Sequence, residues 1–296
     1  MANNFIFILT EGDHDAAFIY RILKANGFKT YSEVIGKYPQ PLGDFLQQDI
    51  LNVSIPEIKI QQARTRFLPH YTMELDRNLV LIYSIGGDSK GIIRTELVKT
   101  LNAFNIQDDD GLAIQAVSED TQMSVLFFFD ADDKGSDVRV SQMIDELKPA
   151  FPEFEFKEDG TYSPLVIYPI EDMKIGAFVF RSIEEDKGML EDVLLPLMQK
   201  DNQEIFEAAE TFLEINKTCQ LFKDKLKYDA GGTVLKKVNG ITYSHRKSLI
   251  GTAGQLQKSG MANTVHISQT DYLNNEKILG DHTCQSIFSF IKQILI

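Results

Sequence analysis

The sequence predicts an α/β protein with a central parallel sheet flanked by helices, followed by a mainly helical C-terminal part. Two observations carry this. Short, continuously apolar runs recur at residues 5–9, 79–85 and 124–129, and each meets a turn rich in glycine or acid and then a stretch of helical apolar spacing. Strands apolar on both sides suit burial on both faces, and alternation of such strands with helices argues for a parallel sheet. After residue 188 the pattern changes to successive helical stretches.

The elements follow in order. Residues 5–9 read as the first strand. Ala16, Ala17, Ile19, Tyr20 and Leu23 then recur at helical spacing until Asn26-Gly27, a C-terminal helix signal. Residues 30–78 read as an insertion: prolines at 39 and 41 break structure, 45–51 suggests a helical turn, and 58–71 suggests a helix bearing Arg64 and Arg66. Residues 79–85 form the next strand, closing in Gly86-Gly87-Asp88-Ser89-Lys90-Gly91, with a helix over 92–104 and a polar, acidic loop over 107–122. The strand at 124–129 runs straight into Asp130-Ala131-Asp132-Asp133-Lys134-Gly135, with a helix over 136–147. Residues 164–168 and 174–180 are further strand candidates. Residues 188–199, 202–213, 216–226 and 282–296 read as helices. The division expected is an α/β domain over 1–187 and a helical part over 188–296.

Composition excludes several classes. A net charge of -13 argues against a basic nucleic-acid platform, although a bound dication reverses the local sign of an acidic site. Cys219 and Cys284 have no paired spacing, so neither a disulfide framework nor a cysteine-rich zinc site is expected, and both read as buried thiols in a reducing compartment. The first apolar run has no basic segment before it and acids directly after it. It is therefore expected to be neither a signal peptide nor a membrane span, and a cytoplasmic location follows. His14, His70, His245, His266 and His282 show no metal-ligand spacing, and no Gly-x-Ser-x-Gly elbow is present.

The placement of the acids is informative. Glu11 directly follows the first strand, and Asp130 and Asp132 directly follow the third core strand. In open α/β sheets ligands bind outside the carboxyl ends of the strands, and right-handed crossovers bring those ends to one side. Converging carboxylates repel one another, and a hard cation such as Mg²⁺, which takes oxygen ligands at roughly 2.0–2.1 Å, relieves this. The competing reading is that single acids after strands are solvated or cap helices, as Asp13, Asp15, Asp133 and Asp137 can.

Glu11-Gly12-Asp13-His14-Asp15 resembles the Glu-Gly-x-x-Asp motif of Toprim domains, and Asp130-Ala131-Asp132 resembles their Asp-x-Asp motif, with Ile85-Gly86-Gly87 after the intervening strand. The resemblance covers roughly residues 5–180. It implies a Rossmann-like fold and a site for Mg²⁺ or Mn²⁺ at Glu11, Asp130 and Asp132. Gly188-Met189-Leu190-Glu191-Asp192 resembles an acidic segment in small stand-alone proteins related to the overcoming-lysogenisation-defect nucleases. Glu191 and Asp192 then either add metal ligands or cap the helix that follows. Lys247 either stabilises charge on a transferring phosphate or is a solvated lysine. Arg64, Arg66, Lys236, Lys237, Arg246 and Lys247 are the basic candidates for phosphate contact.

The resemblance implies a metal-dependent nuclease acting on DNA or RNA, with Glu11 as ligand or as general acid/base. A binding module that keeps the site without chemistry is the alternative, and a flavodoxin-like phosphotransferase ranks below both. The sequence has no Gly-x-x-x-x-Gly-Lys-Ser/Thr loop, so any ATP control is expected from a separate partner protein.

Overall fold

The computed structural model describes residues 3–51, 68–87, 90–105, 121–152, 154–156, 162–170, 173–182, 184–220, 226–228, 234–237 and 243–296. The chain divides into two compact units, Met1–Val193 with Asn274–Ile296, and Leu194–Leu273. The expected division at 187/188 had not anticipated that the last stretch of chain returns to the first unit.

The first unit is built on a seven-stranded sheet in the order β2-β3-β4-β1-β5-β7-β6. Its strands are β1 (Asn4–Thr10), β2 (Lys29–Thr30), β3 (Tyr71–Leu75), β4 (Asn78–Ser84), β5 (Gln122–Asp130), β6 (Ile167–Ile170) and β7 (Met173–Phe180). The central strands β4, β1, β5 and β7 are parallel, while β2, β3 and β6 pair antiparallel at the edges. Every residue of β1 and β4 is buried, as expected of apolar runs covered on both faces.

Successive side chains alternate between the faces. On one face Phe5, Phe7, Leu9, Phe127 and Phe129 share a core with Phe45 of α2 (Leu42–Leu51), Val98 and Leu101 of α3 (Gly91–Asn105), and Val140, Met143, Ile144 and Leu147 of α4 (Ser136–Leu147). On the other, Phe180 lies 6.4 Å from Phe18 of α1 (Asp13–Ala25), measured between ring centroids. Phe128 and Phe178 lie 6.0 and 6.2 Å from Phe290, carried on the last of the helices. The connections leaving β1 and β5 therefore run to opposite faces, and the crevice between these neighbouring strands is the topological switch point where α/β sheets bind ligands.

Several elements depart from the sequence reading. β3 and β4 form a hairpin across Asp76-Arg77, with Asp76 at φ 54°, so the stretch read as an insertion contributes edge strands. The helix proposed over 58–71 lies outside the described residues up to 67, and β3 begins at Tyr71. The loop proposed over 107–122 lies outside them up to 120. β6 begins three residues later than expected, after Leu165 at φ 68°.

The C-terminal part is helical: α5 (Leu190–Gln199), α6 (Gln203–Ile215), α7 (His245–Gly254), α8 (Asn263–Gln269), α9 (Asn275–Gly280) and α10 (His282–Lys292). A two-stranded sheet, β8 (Leu226–Tyr228) with β9 (Val234–Lys237), accompanies them. Of the helix expected over 216–226, residues 221–225 lie outside the described residues, and Lys217–Cys219 form a 3₁₀ turn. The Asn216 side chain donates to the Phe212 carbonyl at 2.8 Å and closes α6 there. Cys284 is buried as expected, but Cys219 is exposed. In the second unit Tyr272 packs edge-on to Phe206 at 5.4 Å and its hydroxyl donates to the Ala253 carbonyl.

Candidate metal centre at the carboxyl edge of the sheet

Register places the acids together. Thr10 pairs with Phe128 across β1 and β5, so Glu11 leaves β1 level with the end of β5, where Asp130 pairs with Phe180 of β7. Asp130 shares the face of Phe128, on the side of α1. Glu11 reaches the loop after β4: a Cβ on Gly87 would sit 3.6 Å from Glu11 Oε2. Arg94 of α3 holds that loop by donating from Nη1 to the Gly86 carbonyl at 2.6 Å and the Gly87 carbonyl at 3.1 Å, while Nε and Nη2 bind Glu146 of α4 at 2.8 and 2.6 Å.

The turn after β5 is equally fixed. Asp132 sits at φ 47° and exchanges both backbone hydrogen bonds with Gly188, at 2.7 and 2.9 Å. Asp130 Oδ1 accepts from the Leu190 N–H at 2.8 Å, which ties the start of α5 to the site. Asp192 accepts from the Met189 N–H at 2.9 Å. In this bond Asp192 caps the start of α5. Glu191 turns inward: it is 3% exposed, and its Oε1 lies 3.5 Å from His14 Nδ1. Asp15 is buried and accepts from the Gly12 N–H at 2.6 Å, capping the start of α1.

Arg139, which sequence reasoning missed, is the counter-charge. Buried on the first turn of α4, it donates from Nε to the Asp130 carbonyl at 2.6 Å, and its Nη2 pairs with Asp132 and lies 3.7 Å from Glu11 Oε1. A signal existed: Arg139 shares the inward stripe of Ser136, Val140 and Met143, and an arginine on a buried stripe calls for an acidic partner.

The electrostatic consequence falls on Asp130 and Asp15. Burial, reinforced by Glu11, Glu191 and Asp132, pushes the Asp130 carboxyl up to about 7, even though the Leu190 N–H favours its anion. Burial, with Asp130, Glu11 and Glu191, raises Asp15 well above the ordinary carboxylate range. Among the described residues, the one trio of His, Asp or Glu ligand atoms lying within 4.8 Å of one another is elsewhere, in the second unit. Of the acids at the sheet edge, Asp132 and Glu11 are drawn to the Arg139 guanidinium.

The remaining candidates are placed as follows. Lys247 is exposed on α7, in the second unit, as is Arg246. Arg64, Arg66 and the side chains of Lys236 and Lys237 lie outside the described residues. Two histidines set aside on spacing border the acidic loops: His14 faces Glu191, and His70 accepts the Ser84 N–H at Nδ1 and faces Asp13 from Nε2 at 3.3 Å.

Fold and site together define an open-sheet α/β protein with an acidic crevice at its switch point. A family model described as a protein of unknown function, DUF3226, matches residues 6–294, and the chain belongs to that family. No curated protein and no solved structure matches the chain significantly.

Proposed function

We propose that this chain is a Toprim-like, divalent-metal-dependent nuclease whose centre is built from Glu11, Asp130 and Asp132. The observation that carries the reading is the crowding of acids in the crevice: the buried Asp130 is driven towards protonation by burial together with Glu11, Glu191 and Asp132, while the Arg139 guanidinium pairs with Asp132 and lies near Glu11. The donor set is all oxygen, which suits Mg²⁺ or Mn²⁺. A dication there would polarise a phosphodiester and lower the pKa of an attacking water. Asp130 and Asp132 serve as ligands, and Glu11 as ligand or general acid/base. Glu191, buried beside His14, would contribute to a second ion. Arg139 orients Asp132 and Glu11 and adds positive charge for a bound phosphate.

Nucleic acid is the proposed substrate, and control by a separate partner such as an ATPase belongs to the same reading, as does a reducing, cytoplasmic setting. Among the described residues no helix is long and apolar enough to cross a membrane.

A non-catalytic metal- or nucleic-acid-binding module is the second reading, favoured by the engagement of Asp132 and Glu11 with Arg139. Incubation of labelled single- and double-stranded DNA and RNA with the protein in Mg²⁺ or Mn²⁺ separates the two. Cleavage that falls on the order of 100-fold in Asp130→Asn, the scale of losing one charge-stabilising group, supports the nuclease. Mn²⁺ binding sensitive to Asp130→Asn without cleavage supports the module. No Mn²⁺ binding that depends on Asp130 or Asp132 sinks both.

A further inference from the structure

We propose a second metal site, for a transition metal of the Zn²⁺ type, formed by Glu210, Glu214 and His245 within the second unit. Glu210 and Glu214 stand one turn apart on α6, on the same side of the helix. His245 is the first residue of α7. One ligand atom from each residue lies within 4.8 Å of the others, and His245 Nε2 is 2.7 and 2.8 Å from the two Glu210 carboxylate oxygens.

The donor chemistry selects the ion. One imidazole nitrogen with two carboxylates suits Zn²⁺, Co²⁺ or Mn²⁺, whereas Mg²⁺ and Ca²⁺ prefer oxygen alone. In the metal-free arrangement Nε2 carries a hydrogen shared with Glu210; the metal replaces that hydrogen, and Glu214 exchanges its contact with Lys217, now at 3.6 Å, for the ion. All three side chains are partly exposed, which leaves room for water to complete the coordination.

An independent observation favours a further ligand here. The Tyr243 ring packs edge-on to His245 at 6.1 Å, and its hydroxyl is buried with no hydrogen-bond partner. A metal-bound water beside His245 would give that hydroxyl a partner. The site would pin the end of α6 to the start of α7, closing the chain between them much as a structural zinc does.

The inference does not depend on the nuclease reading, and its test excludes the first site. Full-length Asp130→Asn protein is titrated with Zn²⁺ against a chromophoric chelator, alone and combined with His245→Ala or Glu214→Gln, and thermal melting is followed with and without Zn²⁺. The expected result is one Zn²⁺ equivalent in Asp130→Asn, unaffected by millimolar Mg²⁺, that weakens at least roughly tenfold in either double variant. Zn²⁺ should also raise the melting temperature of the Asp130→Asn protein and not that of the double variants, which a misfolded variant would reveal by its melting curve without metal. Zn²⁺ affinity unchanged in both double variants, or absent from Asp130→Asn itself, overturns the proposal.

Discussion

The Asp130 carboxyl connects stability to pH in a direction opposite to most acids. An unfolded aspartate ionises near pH 4, to about one unit, whereas the folded one is pushed up to about 7 by burial and its acidic neighbours. Between those values the folded chain holds a proton that the unfolded chain has released, so stability falls as pH rises through that window and levels off above it. Asp15, raised by the same surroundings, acts in the same sense. In chelator the melting temperature should therefore drop by a few degrees from pH 5 to pH 8, and Asp130→Asn should flatten the slope. Equal slopes in the two proteins would mean that the carboxyl is not so crowded in solution. Glu11 and Asp130 were legible because an acid directly after a buried strand has a predictable place. Arg139 went unread because an arginine on an amphipathic helix normally reads as surface, although its place on the stripe of Ser136, Val140 and Met143 pointed inward.

Among the elements, the joint from β5 to α4 concentrates the constraints. Gly135 lies at φ 88°, and a Cβ there would come 2.9 Å from Asp186 Oδ2 and 3.1 Å from the Asp186 carbonyl. Asp186 accepts from the Ser136 N–H at 2.9 Å and from its hydroxyl at 2.5 Å, capping α4 from a distant loop. Gly135→Ala should destabilise the protein by about 1–3 kcal/mol, the scale of a side chain forced into glycine-only backbone, read as a lower urea midpoint. An unchanged midpoint would mean that the Asp186 cap does not form. The central strands were readable because burial on both faces writes a continuous apolar run. Of the edge strands, Tyr71–Leu75 was not read, being half-exposed and mixed in character, and β6, which contains a proline, was read three residues early, since periodicity carries little signal there. Within the helix expected over 216–226, Lys217–Cys219 instead forms a 3₁₀ turn, because α6 is closed by a side-chain bond from Asn216 that apolar spacing does not report.

At the level of the whole molecule, the first unit is completed by its last stretch of chain. Phe290 of α10 fills the aromatic face of β5 and β7. Asn4 donates to the Ile294 carbonyl at 2.6 Å, and Asn78 binds both the amide and the carbonyl of Ile296 at 3.0 Å. Removing residues 282–296 should strip that face and take from each asparagine its bonds to the last residues, with loss of the cooperative melting transition of the first unit. A truncated protein melting at the full-length temperature would show that α10 is dispensable. The amphipathic helix at 282–296 was visible in the sequence, but its docking place was not, since helical periodicity says which side is apolar and nothing about what it covers.

The split of the first unit across Met1–Val193 and Asn274–Ile296, with a contiguous Leu194–Leu273 between them, bears on synthesis. As the chain leaves the ribosome, Leu194–Leu273 is available in full before the sheet's last covering helix exists. Until the last helix is made, Phe128 and Phe178 lack their cover from Phe290 and stand open to chaperones. Covering of Phe128 and Phe178 by Phe290 is thereby deferred until translation has passed well beyond the residues of the crevice.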